Sequence, residues 1–314
     1  MGLAIPGSLT PSKVAAFKDC ALAFRFSVID RLPEPPSAQA FKGTVLHRAL
    51  ELLMWEQPQG RRTLEAALAK LDRAFAELVA GPEGSALGLE GDEREGFIED
   101  ARELVRNYFV LEDPDSVRVI GTELLMQADI GFSPGLRDGS DQETGLPPEA
   151  TLRLRGIIDR LELDDDGELV VTDYKTGRAP GEAQEQARLG GVHFYAFLCD
   201  KVLGRRPVRV QLLHLREPTA IGAVPSDQSI AGLELQATAI WEAIRRACYF
   251  EDFRPKPGAV CERCAFHAYC PAMGGDISLV HAAQAAARDP AACELGEPVP
   301  AEVRAPRLPL VAAW

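Results

Sequence analysis

The hydrophobic positions change their period along the chain, and those changes mark out its elements. Through residue 110 they recur at helical spacing. Val14, Phe17, Leu22 and Phe26 follow Thr10-Pro11-Ser12, which joins a capping hydroxyl to a proline, so residues 9–26 are predicted to be helical. Leu32 to Ala40 is proline-rich and reads as a loop. The next helix is predicted to begin near Thr44, with Leu46, Leu50, Leu53 and Met54 on its buried side; helices follow at 62–80 and 93–110, divided by the glycine-rich segment 81–92. From Arg118 to Ala128 the pattern is that of a strand, and Phe132 to Glu149 is a polar loop. Thr151–Leu163 and Glu168–Lys175 are β-rich runs separated by Asp164-Asp165-Asp166-Gly167, a strong turn signal. A helix over 182–203, a strand from Val208 to Leu215 and a helix over 228–249 complete the body. Helices, then a mostly antiparallel strand group, then alternation predict an α/β core with a helical N-terminal region. One domain is expected over 1–276, with 277–314 an Ala- and Pro-rich tail that is mobile or loosely docked.

Composition narrows the class. A hydrophobic fraction of 46% and a charged fraction of 26% are those of a soluble globular protein. No apolar run approaches the roughly 18 residues of a membrane span, and the first residues lack the basic and apolar regions of a secretory signal. The expectation is a cytoplasmic protein with no membrane partner. A net charge of −13 argues mildly against a nucleic-acid partner, although a groove can be positive on an acidic protein. Arg153, Arg155, Arg160, Arg205, Arg206 and Arg209 are candidates for such a groove; solvated surface arginines are the equally open alternative.

The chemistry concentrates in the acidic hairpin, from Gly156-Ile157-Ile158-Asp159-Arg160 to Asp173-Tyr174-Lys175-Thr176-Gly177. Strand alternation puts Asp173 and Lys175 on one face and Tyr174 on the other. A three-residue loop, Asp165-Asp166-Gly167, sets Asp159 opposite Asp173 with Cβ atoms about 4.5–5.5 Å apart. A two-residue turn would oppose Asp159 to Tyr174 and destroy the pairing. Carboxylates that close repel unless a cation lies between them, and hard oxygen ligands suit Mg²⁺ or Mn²⁺. Lys175 would then orient a water or neutralise developing charge. Without further support, a solvated hairpin with a surface lysine explains the same residues.

Seven cysteines in such a chain do not suggest a disulfide framework. Cys261, Cys264 and Cys270 fall within ten residues, which points to a metal or cluster site that needs a fourth ligand. Four thiolates hold either zinc or an iron–sulfur cluster. Cys199 and Cys248 read as small apolar residues, and Cys293 as incidental.

Gly156-x-x-Asp159-Arg160 and Asp173-Tyr174-Lys175-Thr176-Gly177 resemble the G-x-x-D-R and D-Y-K-T-G motifs of RecB-type nucleases of the PD-(D/E)XK superfamily. Gly43-Thr44-Val45-Leu46-His47-Arg48-Ala49-Leu50-Glu51 resembles their G-T-x-x-H-x-x-L-E helix, and Glu123 matches a glutamate before the core strands. Leu9-Thr10-Pro11-Ser12 … Phe17-Lys18-Asp19-Cys20 is similar to the opening of AddB-type nuclease domains, and the late cysteines resemble those that complete their [4Fe–4S] cluster; CRISPR-associated exonucleases share the arrangement. The resemblance spans roughly residues 9–272. It implies a restriction-endonuclease-like core, a mixed central sheet flanked by helices, and metal-dependent hydrolysis of DNA by an exonuclease of repair or recombination. It implies a metal held by His47, Asp159, Asp173 and the Tyr174 carbonyl, with Lys175 assisting the attacking water and Tyr195 positioning the substrate strand. It implies a structural cluster on Cys20, Cys261, Cys264 and Cys270. Glu123, Gln186 and Arg160 are accessory candidates. The family's Q-x-x-x-Y is altered, since Gly191 stands four residues before Tyr195, with Gln186 and His193 nearby. A catalytically silent, cluster-stabilised DNA-binding subunit of a helicase is the rival reading. The sequence has no G-x-x-x-x-G-K-[ST] loop, so the motor would be another chain. A zinc hydrolase acting elsewhere explains neither the lysine nor the hairpin.

Overall fold

The computed structural model describes residues 2–131, 151–178 and 182–288, with the backbone alone for 182–190 and 285–288. The expected 132–149 loop, Cys293 and the end of the tail lie outside these residues. The described residues divide into two compact units, one from 2–35, 127–131, 151–156 and 227–288, the other from 36–126, 157–178 and 182–226.

The second unit carries the hairpin. Helix α3 (Ala38–Glu56) begins well before Thr44, because the Ser37 hydroxyl accepts from the Ala40 N–H and caps it. Thr63 caps α4 (Leu64–Val79) in the same way through Ala66 N–H. The glycine-rich stretch folds one short helix, α5 (Pro82–Leu87), before α6 (Gly91–Leu111). Phe41, Phe75 and Phe97 interlock α3, α4 and α6, with ring centroids 5.7–6.5 Å apart. The same core reaches Tyr174, Leu213 and Leu215 on the sheet.

The sheet is mixed, with order β1 (Arg118–Gly131), β2 (Thr151–Leu163), β3 (Leu169–Lys175), β4 (Arg209–His214), β5 (Thr219–Ala223). β2 and β3 are antiparallel. β3 and β4 run parallel across the helix between them, α7 (Glu182–Leu203), and β4 and β5 are antiparallel again. Residues 169–174 are all buried, as a strand covered on both faces requires. The short β5 is an addition to the expected elements.

In the first unit the helix expected over 9–26 breaks at Cys20. Thr10 caps α1 (Pro11–Asp19) through Lys13 N–H; Cys20 is extended, and α2 (Ala21–Phe24) runs into one π-turn at Arg25–Ile29. The long α8 (Asp227–Phe250) buries Ile230, Leu233, Trp241 and Ile244. Phe26 packs on Phe266 and Tyr269, at centroid distances of 5.6 and 5.9 Å. Within the segment expected to be a mobile or loosely docked tail, residues 279–288 form α9 (Leu279–Arg288), with Val280 buried and the Gln284 side chain donating to Asp30. No described helix is long and apolar enough to cross a membrane.

Candidate metal centre and active site

The hairpin closes with a three-residue loop. Leu163 pairs with Leu169 and Arg160 with Thr172, while Gly167 takes the left-handed conformation (φ 78°) that ends such loops. Continuing the register by one position sets Asp159 opposite Asp173. There the ladder gives way to side chains, for the Tyr174 N–H donates to Asp159 Oδ2 at 2.7 Å.

His47 reaches this place from α3. Its Nδ1 lies 3.5 Å from Asp159 Oδ2 and 3.7 Å from Glu123 Oε1, and its Nε2 lies 3.1 Å from the Tyr174 carbonyl oxygen. One ligand atom from each of His47, Glu123 and Asp159 falls within 4.8 Å of the others. Glu123, an accessory candidate from sequence, is therefore part of the tightest group. It is also strained, because its φ of 49° is a left-handed value that costs a non-glycine residue about 1–3 kcal/mol and is typical of functional positions. Burial alone would depress the His47 pKa. Hydrogen bonding and the charges of Asp159 and Glu123 override burial and push it up to about 10, the mark of a strongly negative pocket.

Asp173 stands beside this group on other partners. Its side chain is almost wholly buried, ion-paired with Lys175, and its Oδ1 accepts from the Tyr195 hydroxyl at 3.0 Å. Burial, together with the Asp159 charge, holds its carboxyl above the usual range in spite of Lys175. Burial and the same carboxylate push the Tyr195 phenol up, so it remains a proton donor. The Gly43-Thr44 pair acquires a physical meaning here. Gly43 faces Thr176, just past Lys175, and a Cβ would sit 3.3 Å from Thr176 Oγ1. The Gln186 side chain lies outside the described residues.

Arg160 does not line a groove or the open site. It is fully buried on the opposite face of β2, where Nη1 donates to Tyr108 Oη at 3.1 Å and Tyr174 Oη at 2.9 Å. Its other donors meet Glu112, Glu162 and Thr172. Other candidate groove cations are neutralised as well, Arg153 by Asp129 and Arg205 by Glu168.

In the other unit, Cys20, Cys261, Cys264 and Cys270 are half-buried free thiols that all line one cavity of about 290 Å³. Phe24, Phe26 and Phe266 contribute apolar walls. Among the described residues, no three of these sulfurs come within 4.8 Å of one another. A tetrahedral zinc with 2.3 Å bonds requires about 3.8 Å between sulfurs. Cys199 and Cys248 are buried elsewhere, as small apolar residues.

Among known proteins, no curated sequence matches the chain. A solved structure described as "Crystal structure of SSO0001" is similar at 14% identity over 64% of this chain and 80% of that one, with a TM-score of 0.34. The profile of the PD-(D/E)XK nuclease superfamily matches residues 8–271, a stretch that includes the hairpin, His47, Glu123 and the four cysteines. The chain belongs to the PD-(D/E)XK nuclease superfamily.

Proposed function

We propose that the protein is a divalent-metal-dependent deoxyribonuclease that works from DNA ends, as an exonuclease of repair or recombination, with the open face of the β2–β3 hairpin as its active site. The observation that carries this reading is the gathering of His47, Glu123, Asp159, Asp173 and Lys175 around one negative pocket. The donor set fits a hard or borderline cation. His47 turns Nδ1 toward Asp159 and Glu123 and Nε2 toward the Tyr174 carbonyl, so imidazole and oxygen donors are gathered in one place. His47, Asp159, Asp173 and the Tyr174 carbonyl are assigned to the metal, and Glu123 joins them. The imidazole in an oxygen-rich set favours Mn²⁺ over Mg²⁺. Bound there, either ion supplies Lewis acidity toward water and phosphoryl oxygen.

The remaining work falls to the chain's own groups. The Tyr174 N–H fixes Asp159, and the Tyr195 hydroxyl fixes Asp173, so neither carboxylate must reorganise when substrate arrives. Lys175 is 43% exposed on the Asp173 side. It orients the attacking water and neutralises charge developing on the scissile phosphate. Tyr195 also borders the substrate strand.

For Cys20, Cys261, Cys264 and Cys270 the proposal is a [4Fe–4S] cluster that joins α1 to the late turns. Their shared cavity supports it. Anaerobically purified protein should contain iron and sulfide and absorb in the visible, and Cys264→Ser should lose both.

The experiment for the activity is digestion of end-labelled single- and double-stranded DNA with Mg²⁺ or Mn²⁺. The expected product is a ladder that shortens from one end, only with metal and faster with Mn²⁺. Binding without any metal-dependent cleavage, by cluster-loaded protein, would overturn the reading in favour of a silent DNA-binding subunit.

A further inference from the structure

The opening motif Leu9-Thr10-Pro11-Ser12 plays no part in the hairpin site, and what gathers around it is positive. The Leu9 N–H donates to the Arg153 carbonyl and its own carbonyl accepts from the Arg155 N–H, both at 2.9 Å, so this stretch of β2 lies beside the start of α1. Leu152 and Leu154 point inward and Arg153 and Arg155 outward. Arg153 is neutralised by Asp129, through Nε at 2.9 Å and Nη2 at 3.2 Å. Arg155, two residues along on the same face, has no carboxylate at ion-pair distance among the described residues, and neither has Lys13 nor Arg31. Asp30, the carboxylate nearest Arg31 in sequence, is taken by Arg25 at 3.0 Å. Lys13 Nζ donates to the Ser8 carbonyl, at 3.0 Å.

We propose that Lys13, Arg31 and Arg155 form a binding site for the phosphodiester backbone of nucleic acid, in the unit that contains α1. Identification of the anion as nucleic acid rests on the nuclease reading above; the cluster itself does not. The Leu9 backbone bonds place Arg155 beside the helix start that carries Lys13, and burial, then the charges of Arg155 and Arg31, hold the Lys13 pKa below its ordinary value. Arg31 is set in place by a left-handed backbone (φ 53°), and the next residue, Leu32, is buried with its N–H on the Phe26 carbonyl. The hydroxyls of Thr10 and Ser12, 2.9 Å apart, add neutral donors beside Lys13. In a chain with 47 acidic and 34 basic side chains, isolated cations readily find carboxylates. Three gathered with no carboxylate at ion-pair distance among the described residues make a local field that a polyanion completes, and guanidinium forks match phosphate oxygens.

The test is fluorescence-anisotropy binding of a labelled single-stranded oligonucleotide to the full chain, without divalent metal so that nothing is cut, over a series of salt concentrations. Each single-strand phosphate that is no longer neutralised lowers the slope of log K against log salt by about 0.7, so Arg31→Gln with Arg155→Gln should lower it by about 1.4. Both arginines are exposed, so the variant keeps its fold. Arg246→Gln with Arg254→Gln, which removes the same charge from exposed positions in the same unit, should leave the slope unchanged. An unchanged slope in the first pair, or an equal fall in both, would overturn the site while leaving the DNA reading intact. Failure of the unaltered protein to bind DNA at all would overturn both.

Discussion

The β2–β3 hairpin shows two faces to the same unit, built from alternate residues of the same strands and organised in opposite ways. On one face Arg160, Glu162, Thr172 and Tyr174 close a network with Tyr108 and Glu112, in which one buried guanidinium serves two carboxylates. On the other, the carboxylates of Asp159, Asp173 and Glu123 outnumber the Lys175 ammonium, and their charge pushes the His47 pKa up against its burial. The closed face fixes the strands. The open face keeps a field that a cation, and then a phosphate, can use. Strain follows the same division, since within this unit the left-handed non-glycine residue is Glu123, on the open side.

The largest effect is expected on the closed face. Arg160→Met strands two carboxylates and should cost about 3–5 kcal/mol of stability in thermal or denaturant unfolding. Burial already holds the Glu162 carboxyl above the usual range, and loss of the guanidinium raises it further. A carboxyl with a folded pKa above its unfolded value favours the folded state as pH falls, so the deficit should be smaller at pH 5 than at pH 8. A deficit that grows with acid would contradict the network. Next comes Lys175→Ala, which should slow cleavage about a hundred- to a thousandfold with the circular dichroism spectrum retained. A near-normal rate would remove Lys175 from the chemistry. Glu123→Gln should weaken Mn²⁺ binding about ten- to a hundredfold with a smaller loss of cleavage at saturating metal; unchanged affinity would return Glu123 to an accessory place. Tyr195→Phe removes one hydrogen bond to a carboxylate and should reduce turnover about tenfold with little change in metal affinity.

Much of this was legible in the sequence because its signals are local. Asp164-Asp165-Asp166-Gly167 marks the turn, and of the two loop lengths it allows the three-residue one sets the register that opposes Asp159 to Asp173. What escaped is non-local. Arg160 follows the motif aspartate and looks like a surface cation, but its partners come from residues 108, 112, 162, 172 and 174, which only the packed sheet assembles. Glu123 was an accessory candidate by resemblance, but its left-handed backbone is announced by no residue type. The early start of α3 had a readable signal in Ser37, which the preceding prolines masked. The π-turn after Cys20 had none. The remote cysteines were linked by resemblance, and the shared cavity is what a bare spacing rule could not supply.

The central claim is that the open face is a cation site first and a catalytic site because of it. Calorimetric titration of Mn²⁺ into the unaltered protein and into Asp159→Asn tests this most directly. Asp159 is the residue that the Tyr174 N–H, His47 and the register all meet. The account predicts saturable binding that Asp159→Asn abolishes while the fold survives. Equal Mn²⁺ binding by both proteins would contradict it.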